Sequence, residues 1–459
     1  MKRLVICFDG TWNRLDAPHS TNVVITAESV LPIASDGTAQ VIFYDEGVGT
    51  GEGETLRGGL FGAGMVANLG DAYRFLIFNH TPGDQIYLFG FSRGAYTARS
   101  FGGMLAVCGL LQRSDAARVT EAIDRYQNQG SDPARYKADM MAFRARYSPH
   151  LCVSDDEDAW RCANLGHQPG QSSRLQVDYL GVWDTVGSLG IPARYKLLGF
   201  LNRMHAFHDT SLSPFTRSAR HAVAIDERRK DFQPTLWDNL AALNARADAR
   251  ADADDAPYQQ RWFPGVHGAV GGGGERRGLS DQALDWILDG ARRVGLELDG
   301  AANSRIFELA PDYRDHLQNS LPPETRGIGS RIMGLLPEAD RPTGPQQLHE
   351  VSVSARRRWV DSPANLKDGT LYRPATLANV ASILDGLDPQ ALGLGMRDSV
   401  DIQALHSVAK GETLGAIALR HYGDASKNRH IFAANMDTLE HPDRIYVGQS
   451  LRIPRLKQD

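Results

Sequence analysis

The chain has 459 residues, 42% of them hydrophobic and 23% charged, a balance that excludes a wholly disordered protein and suits two or three globular domains. A formal net charge of -5 and a pI near 6.3 remove any overall electrostatic drive toward nucleic acid, so no nucleic-acid partner is expected. The apolar run Leu4 to Phe8 after Met1-Lys2-Arg3 is too short for a signal-peptide core or a membrane span, and synthesis as a cytoplasmic protein without a signal peptide is expected.

Taken in order, Arg3 to Phe8 reads as a strand buried on both faces, ending at Asp9-Gly10-Thr11-Trp12-Asn13. A second strand, Val41 to Tyr44, leads into a glycine-rich segment from Asp45 to Gly64. That segment lacks the lysine and hydroxyl of a P-loop and any G-x-G-x-x-G entry into a helix, which excludes a nucleotide cradle. It reads either as a mobile loop with an apolar Leu60-Phe61 tip over the site or as a plain surface loop. A helix is predicted from about Val66 to Asn79.

Ile86 to Phe91 is the next apolar strand, and Gly90-Phe91-Ser92-Arg93-Gly94 fits the G-x-S-x-G nucleophile elbow, a sharp strand-to-helix turn that exposes a serine hydroxyl. The alternative is a buried turn in which Ser92 merely caps the helix. Gln112 to Ser173 is polar, with helical patches and no clear strand, and suits a cap insertion. Three further strands end at Asp184, Asp226 and His267. Leu279 to Val294 has the spacing of an amphipathic helix. Asn244 to Asp255 reads as a solvated loop or short exposed helix, and beyond Ala301 the chain becomes irregular.

Alternation of buried strands with helices gives an α/β domain with a mostly parallel sheet over residues 1–380, then a linker over 381–402 and a small domain over 403–456. A serine becomes a nucleophile when a base removes its proton and a carboxylate steadies that base. Ser92, Asp184 and His267 supply those roles, and their chain order is that of the α/β-hydrolase fold. Asp226 competes with Asp184 for the acid, with Asp178 behind both. The oxyanion hole would be the Arg93 N–H with a second N–H from Gly10 or Thr11. This chemistry needs no cofactor. His205 and His208 near Asp209 lack a matching ligand set, so no metal is expected. Cys7 and Cys108 read as inert buried thiols, and the less favoured alternative for Cys152 and Cys162 is a disulfide.

With these residues in place, residues 1 to 380 resemble the α/β-hydrolase-like family that includes type VI secretion lipase effectors of the phospholipase kind. The resemblance rests on Cys7 to Asn13, Gly47 to Gly51, Gly90 to Tyr96, Gly181 to Gly187 and Phe263 to His267. It implies Ser92 as nucleophile, Asp184 as acid and His267 as base, acting on lipid esters near a membrane surface, and export by type VI secretion toward a target-cell periplasm. Where the family commonly carries an aspartate two residues after this histidine, the chain has Ala269. Residues 406 to 454 resemble a LysM domain, a βααβ module, through Val408 to Leu414, Tyr422-Gly423-Asp424, Ile431 to Asn435 and Ile445 to Pro454. That resemblance implies binding of peptidoglycan or another N-acetylglucosamine polymer by Gly411, Glu412, Thr413 and Leu414 with Arg444, Ile445 and Tyr446. The function expected is thus a serine esterase or lipase, the alternative being an envelope-binding protein with little or no catalysis.

Overall fold

The computed structural model describes residues 1–459 except 11, 12, 14, 48–57, 188–209, 302–303, 321–338, 393, 395–401, 436–438, 440–441, 446 and 457–459. The expected loop tip at Leu60-Phe61, the second oxyanion candidate Thr11, the glycan candidate Tyr446 and the His205, His208, Asp209 group have side chains outside that description.

In chain order the elements are β1 (Lys2–Phe8), α1 (Asn22–Ser29), β2 (Ala39–Asp45), α2 (Gly58–Asn79), β3 (Gln85–Phe91) and α3 (Arg93–Cys108). There follow α4 (Val119–Gln127), α5 (Pro133–Tyr147), β4 (Leu151–Cys152), α6 (Asp155–Leu165), β5 (Ser173–Arg174), β6 (Tyr179–Trp183), β7 (Ala219–Ala224), α7 (Leu240–Arg246) and β8 (Tyr258–Phe263). The remainder holds α8 (His267–Gly271), α9 (Gly278–Arg293), α10 (Val353–Val360), α11 (Ala381–Asp385), β9 (Ile402–Ser407), α12 (Leu414–Tyr422), α13 (Asn428–Ala434) and β10 (Ser450–Pro454). The chain divides into two compact units, each built from separate segments.

The first unit comprises Met1–Leu15, Pro32–Ala219 and Thr235–Asp248. Its strands run in the order β2-β1-β3-β6 and all pair in parallel, with Leu4 opposite both Val41 and Ile86, and Tyr87 opposite Tyr179. From Leu4 to Phe8 every residue of β1 is buried, as its unbroken apolar run requires of a strand covered on both faces. Helices flank this sheet: Phe101 of α3 sets its ring edge-on to Phe8 at 5.7 Å. Residues 58–64, expected to be loop, form the first turns of α2. The spacing of Met65, Leu69, Tyr73 and Leu76 along that helix accounts for the burial of all four. The insertion holds α4, α5 and α6 as expected, together with the two-residue strands β4 and β5, too short to leave a periodic signal. Glu157 is fully buried there between Arg144 at 2.9 Å and Arg161 at 2.7 Å.

The second unit comprises Asp16–Leu31, Arg220–Pro234 and Ala249–Asp459. Here β7 neighbours β8, and past their ends Ile225 N–H donates to Phe263 O at 2.9 Å and Asp226 N–H to Gly265 O at 3.1 Å. The expected amphipathic helix is α9, but it is buried on every face from Gly278 to Ala291. Its polar side tolerates burial because each carboxylate meets an arginine. Asp281 pairs with Arg277 at 2.9 Å, and Asp289 with Arg220 at 2.9 Å and Arg293 at 2.8 Å. Asp285 pairs with Arg292 at 3.1 Å and with Arg452 of β10. Residues 381–385, placed in the expected linker, are the helix α11, anchored by buried Leu384.

The C-terminal segment folds as β9-α12-α13-β10, the two strands antiparallel. Val408, Leu414, Ile417, Ile431, Leu451 and Ile453 form its core. Thr413 caps α12, its hydroxyl accepting from Ala416 N–H at 3.1 Å, and Gly423 ends the helix at φ 73. Asn435 accepts from Arg452 N–H at 2.7 Å and donates to Arg452 O at 2.8 Å, which aims the Arg452 side chain from a fixed backbone. Replacing Arg452 with alanine leaves Asp285 short of one cation in a buried site. A loss of about 3 kcal/mol in chemical denaturation is expected, with Arg452→Lys losing less.

Candidate active site

Two adjacent strand ends of the first unit carry two of the candidate residues. Phe91, the last residue of β3, lies opposite Trp183, the last of β6, so Ser92 and Asp184 leave neighbouring parallel strands side by side. Both have left-handed backbone, Ser92 at φ 58 and Asp184 at φ 35, a conformation that costs a non-glycine residue roughly 1–3 kcal/mol. Ser92 N–H donates to Trp183 O at 3.0 Å, and Ser92 O accepts from Val186 N–H at 3.3 Å, which locks the two turns together.

Ser92 stands in the N-cap position of α3, yet its side chain makes no capping bond. The bond by which a serine N-cap steadies its helix is therefore not made here. The turn is tight enough to dictate the flanking glycines. A Cβ on Gly90 would lie 2.5 Å from Gly94 O, and one on Gly94 would lie 2.3 Å from both Phe8 O and Asp9 O. Only a residue without a side chain lets α3 start this close to β1. Asp184 is fully buried and Ser92 is 7% exposed.

Asp9 follows directly on β1, its carbonyl oxygen against Gly94. Its Oδ1 accepts from Gly10 N–H at 2.6 Å and from Asn13 Nδ2 at 3.2 Å, and its Oδ2 from the Tyr44 hydroxyl at 2.9 Å. A Cβ on Gly10 would lie 3.4 Å from Ser92 Cβ, so Gly10 is beside the serine, but its N–H is turned to Asp9. Arg93 opens α3, and the first N–H groups of a helix have no acceptor within it. Burial draws the Arg93 guanidinium down to about 10.

In the second unit His267 is the first residue of α8 and is 6% exposed. Gly265, at φ 106, makes the turn from β8 that brings it there. His267 N–H donates to Glu227 Oε2 at 3.2 Å, and its imidazole meets the Phe232 ring edge-on at 4.9 Å. Glu227 escaped the sequence reading, where it was one charge in the run Asp226-Glu227-Arg228-Arg229. Burial pushes its carboxyl up, but the Arg229 guanidinium and His267 outweigh burial and hold it below the usual range. Ala269 is buried in α8.

The other carboxylate candidates have structural partners. Asp226 Oδ2 accepts from Gly265 N–H at 2.7 Å and from the Tyr372 hydroxyl at 2.9 Å, and burial raises its carboxyl to about 6. Asp178 precedes β6, at the opposite end from Asp184, and accepts from Ile86 N–H at 2.9 Å. Among the described residues no cluster of three histidine, cysteine, aspartate or glutamate side chains is arranged to hold a metal. All four cysteines are free thiols.

In the C-terminal module Gly411 is left-handed at φ 83, while Leu414 points into the core. Glu412 accepts from Ala409 N–H at 2.8 Å, pairs with Arg420 at 3.0 Å and meets His406 Nε2 at 2.8 Å. Ile445 packs on the core, and Arg444 reaches Asp254 at 3.4 Å.

Comparison with known proteins identifies the family. The family model for the type VI secretion Tle1-like phospholipase effector catalytic domain matches residues 2–290, more than half of the chain. The chain belongs to this family. The LysM model matches residues 406–454. The uncharacterized protein YEL023C of Saccharomyces cerevisiae is 26% identical over 247 residues, 50% of this chain and 32% of its own length. The potassium binding protein Kbp of Escherichia coli is 49% identical over 49 residues, 11% of this chain and 33% of its own length. The chain thus spans about a third of the length of these curated relatives. A solved structure of the Tle1 effector bound to the VgrG spike is similar at 19% identity and TM-score 0.29, covering 59% of this chain and 50% of that one. The expected fold class, a mostly parallel sheet flanked by helices with a small C-terminal βααβ module, is the one observed in this Tle1-like chain.

Asp226 offers a separable test of the acid. Its carboxyl titrates near 6 in the fold against 3.8 unfolded, so its contribution is present at low pH and lost as pH rises through 6. Asp226→Asn keeps an acceptor for Gly265 and Tyr372 and removes that loss. Relative to the unsubstituted protein, the variant is expected to gain about 2–3 kcal/mol at pH 8 and little at pH 4, read from denaturation midpoints. A fall of about 10⁴ in ester hydrolysis would instead make Asp226 the catalytic acid.

Proposed function

We propose that the chain is a serine hydrolase of lipid carboxylic esters, phospholipase-like, with Ser92 as nucleophile, His267 as base and Asp184 as the acid that orients it. The observation that carries the reading is the strained Ser92 at the elbow, its hydroxyl not spent on capping α3, next to the strained, buried Asp184. Strain of this kind persists where surrounding structure over-determines it, as the glycine contacts do here. The phospholipase effector family supports lipid as the substrate class.

In the reaction His267 takes the proton from Ser92 Oγ as that oxygen attacks the ester carbonyl carbon. The tetrahedral oxyanion is held by the Arg93 N–H and by the N–H of Thr11, or of Gly10 once it leaves Asp9. Collapse breaks the ester C–O bond, and the alcohol departs with the proton from His267. Water, deprotonated by the same histidine, then frees the acid and restores Ser92. Asp184 supplies negative charge to the imidazolium in both steps. No cofactor enters this sequence of steps. Family membership supports export by the type VI system, and no described helix is long and apolar enough to cross a membrane. The LysM domain supports retention on peptidoglycan.

Hydrolysis of a short-chain p-nitrophenyl ester and of phospholipid vesicles, with fluorophosphonate labelling, checks this reading. Ser92→Ala is expected to abolish labelling and lower turnover by about 10⁴ or more, and Asp184→Asn to lower turnover by about 10³–10⁴. Ester cleavage without vesicle cleavage would keep the triad and discard phospholipid. A chain that neither hydrolyses nor labels but still sediments with isolated sacculi would be an envelope-binding protein instead.

A further inference from the structure

The segment Glu227 to Phe232 makes a closed circuit of contacts around His267. Glu227 is 2% exposed, and its Oε2 accepts the His267 backbone N–H at 3.2 Å. The same carboxylate takes the Arg229 guanidinium in a two-pronged pair, Nε to Oε1 at 2.9 Å and Nη2 to Oε2 at 2.7 Å, and also accepts Arg229 N–H at 2.7 Å. Arg229 in turn lies over the Phe232 ring at 3.7 Å, and that ring sets its edge against the imidazole at 4.9 Å. Arg341 ties both ends of the segment, donating to Glu227 O at 3.4 Å and to Phe232 O at 3.2 Å.

We propose that Glu227, Arg229 and Phe232 are positioning residues for His267: Phe232 fixes the plane of the ring, and the Glu227–Arg229 pair sets the potential at the imidazole. The inference rests on His267 acting as the base. Three features separate it from ordinary packing. A two-pronged pair between a half-buried guanidinium and a buried carboxylate spends its geometry on holding that carboxylate still. That carboxylate touches the backbone of the base itself. The pair also presents opposite charges of known order, Glu227 in direct contact with His267 and Arg229 one residue further out. Among the described residues of this unit, two further charged groups adjoin the segment: Arg341, aimed at backbone carbonyls, and Asp226, turned to Gly265 and Tyr372. A negative charge near an imidazole favours the imidazolium and a positive charge opposes it. The two members of the pair therefore act on His267 with opposite sign.

The test is the acidic limb of kcat/KM against pH for ester hydrolysis, together with the pH dependence of the fluorophosphonate labelling rate. Glu227→Gln keeps the shape and an acceptor for His267 N–H while removing the charge, and is expected to shift the limb about one unit to lower pH. Arg229→Gln leaves the carboxylate uncompensated and is expected to shift the limb to higher pH by a similar amount. Phe232→Leu is expected to lower kcat about tenfold with the limb in place. Melting curves show whether each variant folds, and Arg229→Lys, which keeps the charge, is expected to restore the limb. Opposite shifts support the inference. Folded, labelled variants whose limbs coincide with the unsubstituted protein overturn it while leaving the serine mechanism standing. An unsubstituted protein that does not label at all overturns both.

Discussion

The close approach of α3 to the end of β1 is the constraint on which the first unit turns. With Gly94 set against the carbonyls of Phe8 and Asp9, the helix has no room to start one residue earlier or to swing outward. Ser92 must then take the whole change of direction in one residue, and its φ of 58 is the result. Because β3 and β6 are in register through Phe91 and Trp183, the same geometry sets Asp184 beside it. The strain at both residues is local. The parallel strands behind them, β3 buried from Ile86 to Phe91 and β6 throughout, bear it.

Two consecutive acids at the end of β7 show how the fold assigns different tasks to like residues. Asp226 is turned to Gly265 and Tyr372, where burial raises its carboxyl. Glu227 faces the other way, meets a guanidinium, and stays ionised against the backbone of His267. The difference comes from which neighbour is available: a phenol and an amide on one side, an arginine on the other.

The same logic of paired burial extends through α9. Its acids would be untenable inside a protein without the arginines that reach them from β7, from its own last turn and from β10. Arg452 belongs to the LysM domain's closing strand, so the small module is joined to the rest of its unit by a buried charge as well as by chain connectivity. Arg444, on the adjoining loop, makes a second and more exposed bond to Asp254. A glycan held through Arg444 would have to share it with that carboxylate.

The sequence by itself determined those features whose physics is local. Unbroken apolar runs marked β1, β3 and β6, because a strand covered on both faces leaves no polar alternation. The glycines around Ser92 marked the elbow, because a turn that tight admits no Cβ. The spacing of the LysM core marked its helices. Tertiary structure alone decided what depends on distant partners. The acidic face of α9 looked solvated until arginines covered it, and residues 58–64 looked like loop because glycine count outweighed an apolar spacing continued by Met65 and Leu69. Asp226 competed with the favoured Asp184 as a strand-end acid because its hydroxyl partner, Tyr372, is 146 residues away along the chain. Glu227 was hidden among adjacent charges for the same reason: which of four neighbouring charged side chains turns inward is set by what the fold brings to meet it.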